Sequence, residues 1–456
     1  LATKSAPFLR LWVAIGTSAL VGLGGAQHWI ARDDPLYDYL AHLAPTPTTL
    51  SRHLLSREEL QRLLPTNEQP LAELARWKLG VSPNVPSSSV VLVQLRQFGY
   101  PEGSDWRTAT GDYRVVGAWS LTPQALLEVV WSDARRRTDP RFGTVPYATL
   151  TLRTGEWRWQ AGYGTLRWAG GYSGGLLVND EMPAVPYLRV QFPLRLPLLG
   201  TWQFEQFLSQ FEQDGQATWW GARRFERDFG TRWTVALAEA FKALELPTGA
   251  VSQLVPYYLY QKWYTEASRG SGWFNYLAEV GILYKLNVQD RVYLFWLIDD
   301  MRAPTAFGGV SATPRKVATL IGARLHPAPN TRLIVELVRS DGTRTGGVYD
   351  ASGHAPRYAY YYKGLPMGHP IGANRIGLYA HAEHQTGRWL YTIDYATLRR
   401  FHSYRPGARG YQLEAALGYQ MSERGFVTLH YRSSYLCDAG APDTRAGWFL
   451  QLTAQF

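Results

Sequence analysis

The chain has 456 residues, a formal net charge of +10, an aromatic content of 14% and a charged content of only 18%. Beyond the N-terminus it holds no apolar run of roughly twenty residues, which excludes a multi-helix membrane protein, and its Lys and Arg are scattered rather than massed on one element, which argues against nucleic acid as a partner. The single cysteine, Cys437, excludes an intramolecular disulfide framework. What remains is a chain rich in Trp and Tyr whose mean hydropathy is nevertheless negative. A closed barrel has that profile, because its strands alternate apolar and polar residues and its aromatics gather at the membrane interfaces.

Lys4 and Arg10 precede the apolar stretch Leu11 to Leu23, and Gly24-Gly25-Ala26 follows. This is the order of a secretory signal peptide, with cleavage expected near Ala26–Gln27. Residues 27–85 are expected to form a small periplasmic helical bundle. Asp34-Pro35 caps a first helix carrying Leu36, Tyr37, Leu40 and Leu43 on one face. Ser56-Arg57-Glu58-Glu59 is a capping box for a second, stopped by Pro65. Leu71 to Leu79 reads as a third. The bundle is expected at or inside the periplasmic mouth.

From Val90 the hydrophobic period changes from near 3.6 to 2. About eighteen alternating segments can be placed, so residues 86–456 are expected to form an all-β, transmembrane antiparallel barrel. They begin near Val90, Tyr113, Leu126, Val145, Glu156, Tyr187, Trp202, Ala217, Arg232, Trp273, Arg291, Val317, Thr331, Asn374, Arg388, Gly410, Gly425 and Ala446. Trp448, Leu450 and Leu452 alternate with Phe449, Gln451 and Thr453, and the last strand ends on Phe456. A terminal aromatic of this kind is the expected handle for the barrel assembly machinery. The connections sort by length. Gly164–Pro186, Phe241–Gly272 and Ser340–Ala373 are long, whereas Thr154–Gly155, Asn287–Asp290 and Gln385–Gly387 are short. Long loops outside and short turns in the periplasm are the rule for outer-membrane barrels. An outer-membrane monomer bathed in lipid is expected.

Three constellations bear on chemistry. Gly171-Tyr172-Ser173-Gly174-Gly175 fits G-x-S-x-G, but it falls in a loop of an all-β chain, where the motif lacks its strand and helix. His354, His369, His381 and His384 lie close in sequence without a metal-ligand spacing. Asp299-Asp300 and Asp180-Glu181 are adjacent carboxylates, and neighbouring strand residues point to opposite faces. No enzyme activity, metal or cofactor is expected. The stretch Tyr358–Gly372 says more. Its four tyrosines and Lys363 precede a stiff Gly/Pro segment. Tyrosine offers a sugar both an aromatic face and a hydroxyl. The alternative is that these rings form an interface girdle and loop core.

Several stretches resemble the Wzi-like capsule assembly proteins of the outer membrane. Lys363-Gly364-Leu365-Pro366-Met367-Gly368-His369-Pro370 followed by Gly372 is similar to a late outer-loop segment of that family. So are Gly170–Pro186, Trp202-Gln203-Phe204 with Gly221-Ala222-Arg223, and the Asp34-Pro35-Leu36-Tyr37 opening. The chain departs from the family at Trp168-Ala169 and in the loop Phe241–Gly272. The resemblance implies an eighteen-stranded barrel with a periplasmic helical bundle. It also implies a lectin that holds capsular or extracellular polysaccharide at the cell surface. The expected glycan contacts are Tyr360, Tyr361, Tyr362, Lys363 and His369, with Tyr172 and Asn179 from the other long loop. The competing reading is a porin or diffusion channel.

Overall fold

The computed structural model describes residues 75, 77–78, 90–99, 109–132, 144–168, 171–179, 182–244, 274–287, 289–300, 316–343, 346–349, 359–363, 365–400, 409–422, 425–438 and 441–455. The expected signal peptide, the helices opening at Asp34 and Ser56, His354, Asp180-Glu181 and Phe456 lie outside the described residues.

Strands follow one another in a simple meander: β1 (Val90–Gly99), β2 (Ala109–Thr122), β3 (Ala125–Ser132), β4 (Thr144–Thr154), β5 (Trp157–Gly164), β6 (Val185–Leu196), β7 (Gly200–Gln213), β8 (Gln216–Phe229), β9 (Trp233–Ala243), β10 (Phe274–Lys285), β11 (Arg291–Asp300), β12 (Lys316–Ala328) and β13 (Thr331–Ser340). Four two-residue strands come next, β14 (Gly342–Thr343), β15 (Gly346–Gly347), β16 (Tyr361–Tyr362) and β17 (Leu365–Pro366), forming two miniature hairpins. The wall then resumes with β18 (Arg375–Thr386), β19 (Trp389–Arg400), β20 (Arg409–Ser422), β21 (Gly425–Asp438) and β22 (Ala441–Gln455). The eighteen long strands form one sheet. It closes on itself where β1 pairs antiparallel with β22, Gln94 opposite Gln455 through Phe98 opposite Gln451. This five-residue pairing joins the two terminal strands, so the sheet closes and neither is a free edge over that stretch.

The alternation read from the sequence becomes two faces. Leu150 and Leu152 of β4 are exposed on the outside while Thr149 and Thr151, alternating with them, are buried. On β13, Val335 and Leu337 face outward, and Arg332, Glu336 and Ser340 face in. Tyr391, Ile393, Tyr395, Leu417, Leu429, Trp448 and Leu450 continue the apolar belt. Exposed apolar side chains with buried charges invert the soluble pattern, as a lipid-facing barrel requires.

The expected sorting of connections holds with two exceptions. The inner turns, such as residues 155–156, 230–232 and 387–388, are short, and the outer connections 165–184, 244–273 and 341–374 are long. However, the outer connections 214–215 and 439–440 are only two residues long. For the first, Asp214-Gly215 supplies the residue pair that a two-residue hairpin turn prefers, so no longer loop is needed there.

Candidate functional site

The two long outer connections turn inward and pack inside the barrel. Leu176, Leu177, Val178 and Met182 from the 165–184 connection join Val348, Tyr349, Tyr360, Met367 and Ile371 from the 341–374 connection in one buried cluster. The wall contributes Phe207, Trp220, Leu277, Leu297, Leu320 and Val338 to the same cluster. Apolar side chains on a lumen face need a partner, and these two connections supply it.

Hydrogen bonds stitch the two segments together. The Asn179 backbone N–H donates to the Met367 carbonyl at 3.0 Å. Tyr349 and Tyr360 donate their hydroxyls to the carbonyls of Leu176 (2.7 Å) and Leu177 (3.0 Å). The Tyr360 oxygen in turn accepts from Trp220 Nε1 at 2.7 Å. These are satisfied buried hydroxyls, which is why tyrosine serves here and phenylalanine would not.

Buried wall carboxylates hold the plug. Glu336 on β13 accepts from the backbone N–H of Tyr172, from Ser173 N (2.7 Å) and Oγ (2.5 Å), and from the Tyr293 hydroxyl (2.5 Å). Glu205 on β7 accepts from Trp168 Nε1 (2.5 Å) and Gln191 Nε2 (2.7 Å) and pairs with Arg189 at 2.7 Å. Lys242 on β9 donates to the carbonyls of Ala359 and Tyr361, each at 2.7 Å. Tyr172 reaches the opposite wall, where its hydroxyl donates to Asp394 and lies 3.2 Å from His381 Nδ1. The sequence reading passed over Glu336, Glu205 and Lys242. A single charge inside an apolar strand, as in Leu333-Ile334-Val335-Glu336-Leu337-Val338, was the available signal.

His369 is fully buried, and burial together with the nearby Arg167 guanidinium pushes its imidazole down to about 3. Its Nδ1 accepts the Ile371 N–H at 3.1 Å, so the ring proton sits on Nε2, 3.0 Å from Ser173 Oγ. A serine nucleophile needs that nitrogen as a proton acceptor. Here the imidazole donates and the Ser173 hydroxyl donates a hydrogen bond to the Glu336 carboxylate, so the set ties the connection to the wall. No group of metal-ligating residues converges among the described residues.

The residues expected to touch glycan fall into two sets. Tyr360, His369, Asn179 and Tyr362 are buried and form the plug, so they present almost no surface to a ligand outside. Of the alternative reading, the loop-core part holds for Tyr360 and Tyr362, whose rings are buried in the cluster, and the interface-girdle part does not. Lys363 is exposed, and Tyr361 and Tyr172 are half-buried. Lys363 stands at the tip of the β16–β17 hairpin, its ammonium over the Tyr362 ring at 5.3 Å.

At the inner end, Ala75, Trp77 and Lys78 are helical and buried. Lys78 Nζ meets both carboxylate oxygens of Glu128 at 2.9 and 2.8 Å, and Arg153 lies over the Trp77 ring. The part of the Leu71–Leu79 stretch that is described therefore sits against the barrel wall.

Comparison with solved structures agrees with this architecture. Wzi of Escherichia coli, a carbohydrate-binding β-barrel involved in group 1 capsule assembly, matches over 94% of this chain and 99% of its own, with 16% identity and a TM-score of 0.60. Two Pseudomonas aeruginosa outer-membrane proteins, OpdK (10% identity, TM-score 0.48) and OccK5 (8%, 0.46), cover 81% of the chain and 99% and 98% of their own lengths. Their likeness is too low to bear on the fold. No protein-family model and no curated sequence matches the chain. The closed eighteen-strand meander and the match across nearly the whole chain establish that this is an outer-membrane β-barrel with a Wzi-like fold.

Proposed function

We propose that this barrel binds surface polysaccharide, capsular or extracellular, and holds it at the outer face of the cell. The observation that carries the reading is the plug. Two outer connections that would form the constriction of a channel are instead packed against the wall and fixed by buried hydrogen bonds. A filled lumen is poorly suited to diffusion. It does give the outer rim a rigid floor, and rigidity lowers the entropic cost of binding a flexible polymer. The chemistry is non-covalent. Lys363, Tyr361 and neighbouring rim groups offer hydrogen bonds and aromatic contact, and many weak contacts along a repeating polymer add through effective concentration. In this reading the barrel acts as a monomer.

A channel reading draws on one observation. Asp394 and Arg432, both facing the lumen on β19 and β21, keep about two-fifths of their side-chain surface exposed (37% and 41%), so a polar strip survives beside the plug. Two measurements separate the readings. Cells carrying a Tyr361→Ala, Lys363→Ala barrel are expected to shed surface glycan relative to wild type, and planar-bilayer recordings of the native barrel are expected to lack a steady open level. Normal retention together with a stable open pore sinks the glycan-binding reading.

A further inference from the structure

The β7–β8 hairpin ends at the outer mouth in Asp214-Gly215, both with left-handed backbone (φ 53° and 73°). Behind this turn lies a cavity of about 150 Å³, lined by Gln213, Asp214, Gln216, Thr218 and Leu244. At roughly 30 Å³ per water, that is room for about five waters, the space of a small ring and not of one solvent molecule. Asp214 and Gln216 are open to solvent, whereas Thr218 forms a buried floor.

The surroundings are built, not a gap between loose loops. Lys242 donates to Gln213 Oε1 at 2.8 Å with the same ammonium that holds Ala359 and Tyr361. Phe211 packs on Tyr362 with ring centroids 4.3 Å apart. One cation and one ring pair thus lock the wall hairpin to the plug hairpin. Because Lys242 takes the Gln213 oxygen, the orientation of that amide is set and its N–H groups are left for a ligand.

We infer that this cavity is a subsite for one neutral sugar unit carrying neighbouring hydroxyls. The Asp214 carboxylate accepts from two hydroxyls at once, and the Gln213 and Gln216 amides supply donors and a further acceptor. Leu244 gives the C–H face of the ring an apolar contact. The lining residues include an acid and no base, and the Lys242 ammonium behind Gln213 is already held by two plug carbonyls, so a uronate at this position meets the exposed Asp214 carboxylate first. The inference rests on the glycan-binding reading and locates it away from the buried tyrosines.

The test presents the folded full-length barrel to an array of neutral-hexose and uronate-bearing oligosaccharides, alongside Asp214→Asn and Gln216→Ala. Asparagine tolerates the left-handed backbone, so the turn survives the first change, and retention of folded-barrel gel migration checks both variants. Wild type is expected to bind neutral glycans and Asp214→Asn to bind them about tenfold less or worse, the loss of a charge-assisted hydrogen bond, with a smaller loss for Gln216→Ala. Wild-type affinity in the folded Asp214→Asn variant overturns the subsite while leaving the glycan-binding reading intact, as does a preference for uronates that Asp214→Asn does not change. Failure of the wild type to bind any glycan on the array overturns both.

Discussion

His369 illustrates how far a residue's surroundings can redirect it. As a sequence element it suggested a sugar contact. Its position in the plug makes it a neutral spacer whose two nitrogens are both engaged. The consequence is a pH dependence. An unfolded or released plug binds a proton on this histidine below about 6.5, whereas the packed state holds off protonation until about 3. Between those values the released state carries more protons, so plug stability falls as pH falls. At about 1.4 kcal/mol per unit, the loss across the window is on the order of 5 kcal/mol. Acidification toward pH 4 is therefore expected to lower the amide protection factor at Ile371, the observed rate corrected for the pH dependence of intrinsic exchange, and to raise bilayer conductance. His369→Gln is expected to flatten that response. An unchanged slope in the variant assigns the acid sensitivity to other groups.

At the scale of elements, strand pairing and lumen chemistry meet at Gly322 of β12. It faces Tyr293 of β11 across the register, and the tyrosine ring lies over the glycine. A Cβ there would stand 2.3 Å from the ring and 2.6 Å from the hydroxyl oxygen that bonds Glu336. Gly322→Ala must displace Tyr293, and overpacking of this kind costs about 1–3 kcal/mol. A lowered unfolding midpoint in detergent, with a larger loss of plug protection than of strand protection, is the expected result. Equal losses everywhere would detach Tyr293 from the plug. Strand existence and facing were legible from alternation. Trp389, Tyr391, Ile393 and Tyr395 point outward as their spacing required, because lipid on one side and a polar interior on the other permit only one phase.

Considered as a whole, the barrel is occupied from both ends. The outer plug is fixed through Glu336, Glu205 and Lys242, and the inner helical residues through Lys78 and Glu128. Separating a buried ion pair by removing one partner costs about 3–5 kcal/mol, chiefly because the other charge stays in place. Lys78→Met is expected to loosen the inner segment, seen as faster amide exchange at Trp77 and easier proteolysis from the inner side. Adding Glu128→Leu is expected to restore much of the protection. A double variant no better than the single one would mean that packing, not charge, holds this segment.

The sequence by itself determined the barrel. Period-two patterning is a local property that the bilayer enforces at every strand independently, and counting strands and connection lengths along the chain needs nothing more. It also marked the two connections that matter, through their tyrosines and glycines. What only the tertiary structure decided is which way those connections fold. An aromatic loop serves equally as a surface for sugar or as a core for a lumen. The choice depends on whether a partner lies across the barrel, as Trp220 does for Tyr360 and Glu336 for Ser173. Such partners are separated by 140 and 163 residues and share no pattern along the chain. Closure of the sheet alone brings them together, and with them the hairpin tips whose cavity at Asp214 no local motif announces.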